Sequence, residues 1–168
     1  MPDKIINRVA NSKLITVNLE DYYPKGQRVL FDIKDWLFEG FVLREKDFRA
    51  QVSEYNWSQY NNSYVALTCS TDAIIPGWAY MLISIHLEPF AEKVMIGNLE
   101  ALETAIYQDV LNSLDVSEFT DKPIIIKGCS KKPVPTNAYI MLANKLKPIA
   151  KSIMYGEACS SVPLYKNK

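Results

Sequence analysis

Residues 76–97, PGWAYMLISIHLEPFAEKVMIG, return in outline at residues 135–156, PTNAYIMLANKLKPIAKSIMYG. Eight of the 22 aligned positions are identical, where unrelated windows of ordinary composition share about one or two. The common frame is P-x-x-A-Y, L-x-P-x-A, M-x-G. Each copy is preceded by an apolar run ending in Cys-Ser, YVALTCS (64–70) and PIIIKGCS (123–130). A chain built this way repeats one structural unit.

The unit reads as strand–helix–strand. YVALT and PIIIK are short, nearly uncharged and rich in β-branched residues, as strands buried on both faces are. Pro76 and Pro135 suit helix starts, with Thr136 a candidate N-cap. Ala79, Ile83, Leu87 and Phe90 recur at helical spacing, and Ala138, Leu142, Leu146 and Ile149 match them. Pro89 and Pro148 end the helices, because proline disfavours helical geometry in the residue before it. KVMIG and SIMYG are the following strands. Between the copies, Asn98 caps a helix carrying Leu99, Leu102, Ile106, Val110 and Leu114 on one face, with Glu100 and Glu103 near its positive end.

Alternating strands and helices predict an α/β fold: one mostly parallel sheet covered by helices on both faces, holding both repeated units. Residues 1–62 are less regular. KLITVNL (13–19) is a strand and YYPKGQ a turn. Asp32 and Asp35 open a helix bearing Ile33, Leu37 and Phe41, and Phe48, Val52 and Tyr55 mark another. We expect a single domain over 1–168, with 1–62 an N-terminal lobe packed on a 63–168 core.

Nineteen basic residues balance nineteen acidic ones. Without a basic surplus, neither nucleic acid nor an anionic membrane is an expected partner. The longest apolar stretch, residues 73–85, contains a proline and a glycine and falls short of the roughly 20 residues of a membrane span. The N-terminal residues lack the apolar core of a secretory signal. Three cysteines, an odd count, fit a compartment where disulfides are rare. A cytoplasmic address is expected.

In a parallel sheet, ligands bind where the strands' carboxyl ends line up. Cys69 follows YVALT, Cys129 follows PIIIKG, and Cys159 lies just past SIMYG. All three are assigned to that edge. The alternative is that they are small buried hydrophobes. As ligands they would suit zinc or an iron–sulfur cluster, which gather thiolates from separate loops. Asp72 or Glu157 could fill a fourth position. Catalysis offers another route, with Cys129 as a nucleophile activated by a helix start and by Lys131 and Lys132, acting on a small anionic substrate. No base is evident, because His86, the only histidine, lies about 15 Å down its helix at 1.5 Å per residue. His86 is expected at the surface, so whether the chain is an enzyme stays open. The aromatics Phe31, Trp36, Phe38, Phe41 and Trp57 are core or interface material, and a homodimer surface among them is one reading.

The motifs VANSKL, LEDYYP, FDIKDWLFEG, WSQY, TCSTDAIIP, KGCSKKPVP and YGEACSSVPLYK carry a resemblance. Over nearly its whole length the chain resembles an uncharacterised bacterial family, catalogued as a domain of unknown function. The resemblance implies genes that lie beside iron–sulfur cluster assembly genes, and it brings no established activity or catalytic residues. Together these readings favour a metal- or iron–sulfur-binding accessory protein using Cys69, Cys129 and Cys159, with iron–sulfur assembly proteins as partners. The alternatives are the thiol enzyme and a protein-binding scaffold.

Overall fold

The computed structural model describes residues 13–128 and 130–168. The contacts of the described residues divide into two compact units, one formed by the chain up to Tyr23 together with the chain from Tyr107 onward and the other by residues 24–106. The second unit is therefore inserted in sequence between the two parts of the first. Residues 1–62, expected as one lobe, are shared between them.

In the inserted unit, strand β2 (Arg28–Asp32) runs parallel to β3 (Tyr64–Thr68), and β3 runs parallel to β4 (Lys93–Ile96). In the other unit, β1 (Ile15–Val17) runs parallel to β5 (Pro123–Ile126) and β5 to β6 (Ser152–Glu157). The final strand, β7 (Ser160–Lys166), folds back antiparallel on β6. The sheets are thus β2-β3-β4 and β1-β5-β6-β7. The α/β class and the mostly parallel pairing agree with the sequence reading, but the single sheet does not. Each repeated segment belongs to its own sheet, because a strand from the first third of the chain pairs with each central strand.

Helices α2 (Gly77–Leu87) and α4 (Thr136–Leu146) make the crossovers. Identical backbone bonds recur in the two copies. The Asn62 amide donates to the Phe90 carbonyl and the Asp121 amide to that of Ile149. Ala79 donates to Pro76, as Ala138 does to Pro135. Asn62 and Asp121 share the left-handed conformation, φ 58° and 61°, which asparagine and aspartate tolerate better than most residues. Proline itself is the N-cap of both helices, and no side chain caps either, so Thr136 is the first helical residue and not the cap.

The central strands carry the burial. Val65, Ala66 and Leu67 are all within 1% of full burial, as are Ile124, Ile125 and Ile126. Three consecutive buried residues mean that both faces of each strand are covered. In the inserted unit the core joins Phe31, Val65 and Leu67 to Ala79, Ile83 and Leu87 of α2 and to Phe48 and Val52 of α1 (Glu45–Glu54). Trp57 completes it, its indole N–H donating to the Val52 carbonyl at 2.8 Å. In the other unit, Ile124, Ile126 and Ile153 pack with Ala138, Leu142 and Leu146 of α4.

The helix expected from Asp32 is a single 3-10 turn, Ile33–Trp36, and Phe41 is 60% exposed beyond it. Asp32 does cap that turn, accepting from the Lys34 amide at 3.0 Å. The helix after Asn98 is α3 (Leu99–Ser113), and the Asn98 side chain accepts from the Ala101 amide at 2.8 Å. Its buried residues include Leu102 and Ile106, as expected, but also Tyr107 and Leu111, whereas Leu99 is 41% exposed. No helix among the described residues is long and apolar enough to cross a membrane.

Candidate functional site

Parallel strands end together, so the inserted unit gathers the ends of β2 and β3 at one edge. Asp32 closes β2 and Cys69 follows β3. The Asp32 carboxylate accepts the Ser70 amide at 3.1 Å, besides that of Lys34. Burial acts to raise the Asp32 carboxyl, but the Ser70 hydroxyl, the two amides and the Lys34 charge outweigh it and hold it below the usual carboxylate range. Thr71 Oγ1 donates to the Gly40 carbonyl at 2.7 Å and lies 3.3 Å from Cys69 Sγ. With the hydroxyl proton directed at Gly40, the half-buried Cys69 thiol is the donor to Thr71. Tyr80 of α2 senses the same edge: burial first, then the charges of Cys69 and Asp32, push its hydroxyl above the usual tyrosine range.

The edge of the other unit is held differently. Glu20 accepts the Lys131 amide at 3.1 Å. Ser130 Oγ donates to the Lys132 carbonyl at 2.8 Å and accepts the Lys132 amide at 3.2 Å. The Lys132 ammonium lies 5.5 Å from the centre of the Tyr23 ring. Cys129, expected here as ligand or nucleophile, lies outside the described residues.

Cys159 occupies the exposed turn between β6 and β7. That turn was missed in the sequence, where the chain past Gly156 reads as a strand-end loop. Asp72 and Glu157 are both exposed. Among the described residues, no three His, Cys, Asp or Glu side chains are grouped to hold a metal ion. His86 is half-buried, partly at the surface as expected; its ring lies 5.9 Å from that of Trp57 in the last turn of α2. The expected aromatic interface divides, with Phe31 and Trp57 buried and Phe38 and Phe41 exposed.

Another feature of the inserted unit is an apolar groove of about 600 Å³ between α2 and β4. Leu67 and Val94 line it together with Tyr80, Met81, Ile85 and Ile96. Met81 is 67% exposed, Ile85 69% and Ile96 58%. The side of α2 facing away from Ala79, Ile83 and Leu87 is therefore apolar as well. A signal for this was present in the repeat, because the position of Ile85 in the first copy holds the polar Asn144 in the second. A concave apolar surface flanked by a few polar groups is the usual form of a binding site. Tyr80 reaches both this groove and the Cys69–Asp32 edge.

One family matches the chain, over residues 3–167, and is described as "Protein of unknown function (DUF2480)". No curated protein and no solved structure matches.

Proposed function

The chain belongs to this DUF2480 family of unknown function, and we propose that it is a polypeptide-binding module whose working surface is the α2–β4 groove. The observation that carries this reading is the exposure of Met81, Ile85 and Ile96 around a concave apolar surface. Exposed apolar patches of this kind are where partners dock. Because one wall is a strand, the surface suits an extended segment that adds to the sheet while its side chains enter the groove. Selection from a random peptide library against the full chain tests the reading. Apolar, extended binders that shift the amide resonances of Val94–Ile96 and are lost in Ile85→Glu are the expected result. Binders that map elsewhere, or that survive Ile85→Glu, count against it.

The metal or iron–sulfur role is a second proposal. It is supported by Cys69 and Cys159, each just past the carboxyl end of a parallel strand. Metal analysis of anaerobically purified protein tests it. Bound iron or zinc that falls when Cys69, Cys129 or Cys159 becomes serine is expected, and metal-free protein is the result against it.

A further inference from the structure

The repeat itself indicates how the β4 edge is covered. In one unit the second strand of the repeat, β6, carries antiparallel β7 on its outer side, with Tyr155 opposite Val162 and Glu157 opposite Ser160. In the inserted unit the corresponding strand, β4, ends the sheet, and no strand pairs with its outer side among the described residues. There the chain turns at Gly97 into α3 instead of folding back. Edge strands are commonly protected by short length, by charged side chains such as lysine, by proline or by bulges. β4 is four residues long and opens on Lys93, but the run Val94-Met95-Ile96 that follows carries no charge, proline or bulge and borders an apolar groove.

We infer that a second copy of this chain supplies the missing strand, β4 pairing antiparallel with β4 of the second copy about a two-fold axis. This rests on the reading of the groove as a polypeptide-binding surface. An isologous contact closes on itself and satisfies both edges at once. Centring the axis on Met95 sets Val94 opposite Ile96 and Lys93 opposite Gly97, with Glu92 opposite Asn98. Apolar residues then meet and no like charges are apposed. The axis stands perpendicular to the sheet, so both α2 helices lie on the same face and present Met81 and Ile85 to each other across the seam. Four residues of strand pairing alone fall below the roughly 800 Å² per partner of a stable interface. The helix side chains have to supply the remainder, which makes Met81 and Ile85 the anchors.

Sedimentation equilibrium of the full chain, from about 1 to 100 µM, reads the association. The expected result is a dimer that Ile85→Glu weakens by about 30-fold or more, as loss of an interface anchor does. Because Ile85 is 69% exposed, this variant keeps its fold, which circular dichroism checks. In a background with the three cysteines changed to serine, Met95→Cys should form an intermolecular disulfide on mild oxidation and Ile140→Cys on α4 should not. A monomer throughout the range overturns the inference, as does a dimer that is indifferent to Ile85→Glu or that gives no cross-link at position 95. A monomer that still binds library peptides in the groove overturns the second copy alone. Failure of both overturns the groove reading with it.

Discussion

The guanidinium of Arg28 meets the carboxylate of Glu103 at 2.7 Å, with only 10% and 7% of the two side chains exposed. The pair links the first residue of β2 to α3 across 75 residues of sequence. Arg28 also donates to the Pro24 and Gly26 carbonyls, both at 2.7 Å, so its charge is surrounded by acceptors. Removing one member of a buried pair strands the other charge, at a cost of about 3–5 kcal/mol. Glu103→Ala should lower the unfolding free energy by that margin, read as a fall in the urea midpoint. The double variant Arg28→Met/Glu103→Leu should recover much of the loss.

Asp32 gives an acid-side prediction. Its carboxyl is held low in the folded chain, so the unfolded chain takes up the proton first as pH falls. The stabilisation is complete above the unfolded value of about 3.9 and disappears as pH drops through the folded one. Asp32→Asn keeps a capping side chain but loses the charge on its hydrogen bonds, so it should be less stable than the wild type at neutral pH by about 1 kcal/mol. The difference should shrink in acid, which denaturation at a series of pH values will show.

Tyr60 predicts the alkaline side. Burial first, and then the hydroxyl of Tyr55 at 2.7 Å, push its ionisation far above the usual range. The folded chain keeps this phenol neutral while the unfolded chain ionises it near pH 10, so its contribution is present below that pH and is lost as pH climbs beyond it. Absorbance at alkaline pH should show one tyrosine ionising only as the fold is lost, and Tyr60→Phe should remove that step. The same variant should cost about 1 kcal/mol at neutral pH for the lost hydrogen bond.

Gly156 is held at φ 122°, and a Cβ there would lie 2.6 Å from the Ser160 carbonyl oxygen. Gly156→Ala should destabilise the chain by about 1–3 kcal/mol, because both the backbone angle and the space are wrong for alanine. Amide exchange should report the damage first in β7, whose pairing with β6 begins at this turn.

The repeated units were legible because spacing and proline positions are local properties. Which strands pair is not local. Nothing in ITV or RVLFD says that one joins PIII and the other YVALT, so two sheets were read as one. Strand β7 was missed because Pro163 argues against a strand; it is accommodated beside a register shift at Ile153/Met154. The helix read from Asp32 failed because a good cap starts a turn but does not extend it. Three cysteines were read onto one sheet edge; Cys69 and Cys159 do follow strand ends, but the strands belong to two different sheets. The groove went unread because exposure cannot be seen along a sequence, although Ile85 against Asn144 was a usable contrast.

The insertion of one unit into the other sets an order of events. During synthesis β1 leaves the ribosome early, yet its partner β5 comes more than a hundred residues later, Ile15 pairing with Ile124. All the strands of the inserted sheet emerge in between, so that sheet can form while β1 is still waiting. Once the inserted sheet has formed, fewer flexible residues separate the waiting strand from its partner. The logarithmic growth of loop-closure entropy then keeps the cost of so distant a pairing modest. A variant that slows the β2-β3-β4 sheet would also delay β1, although it touches no residue of the β1 sheet.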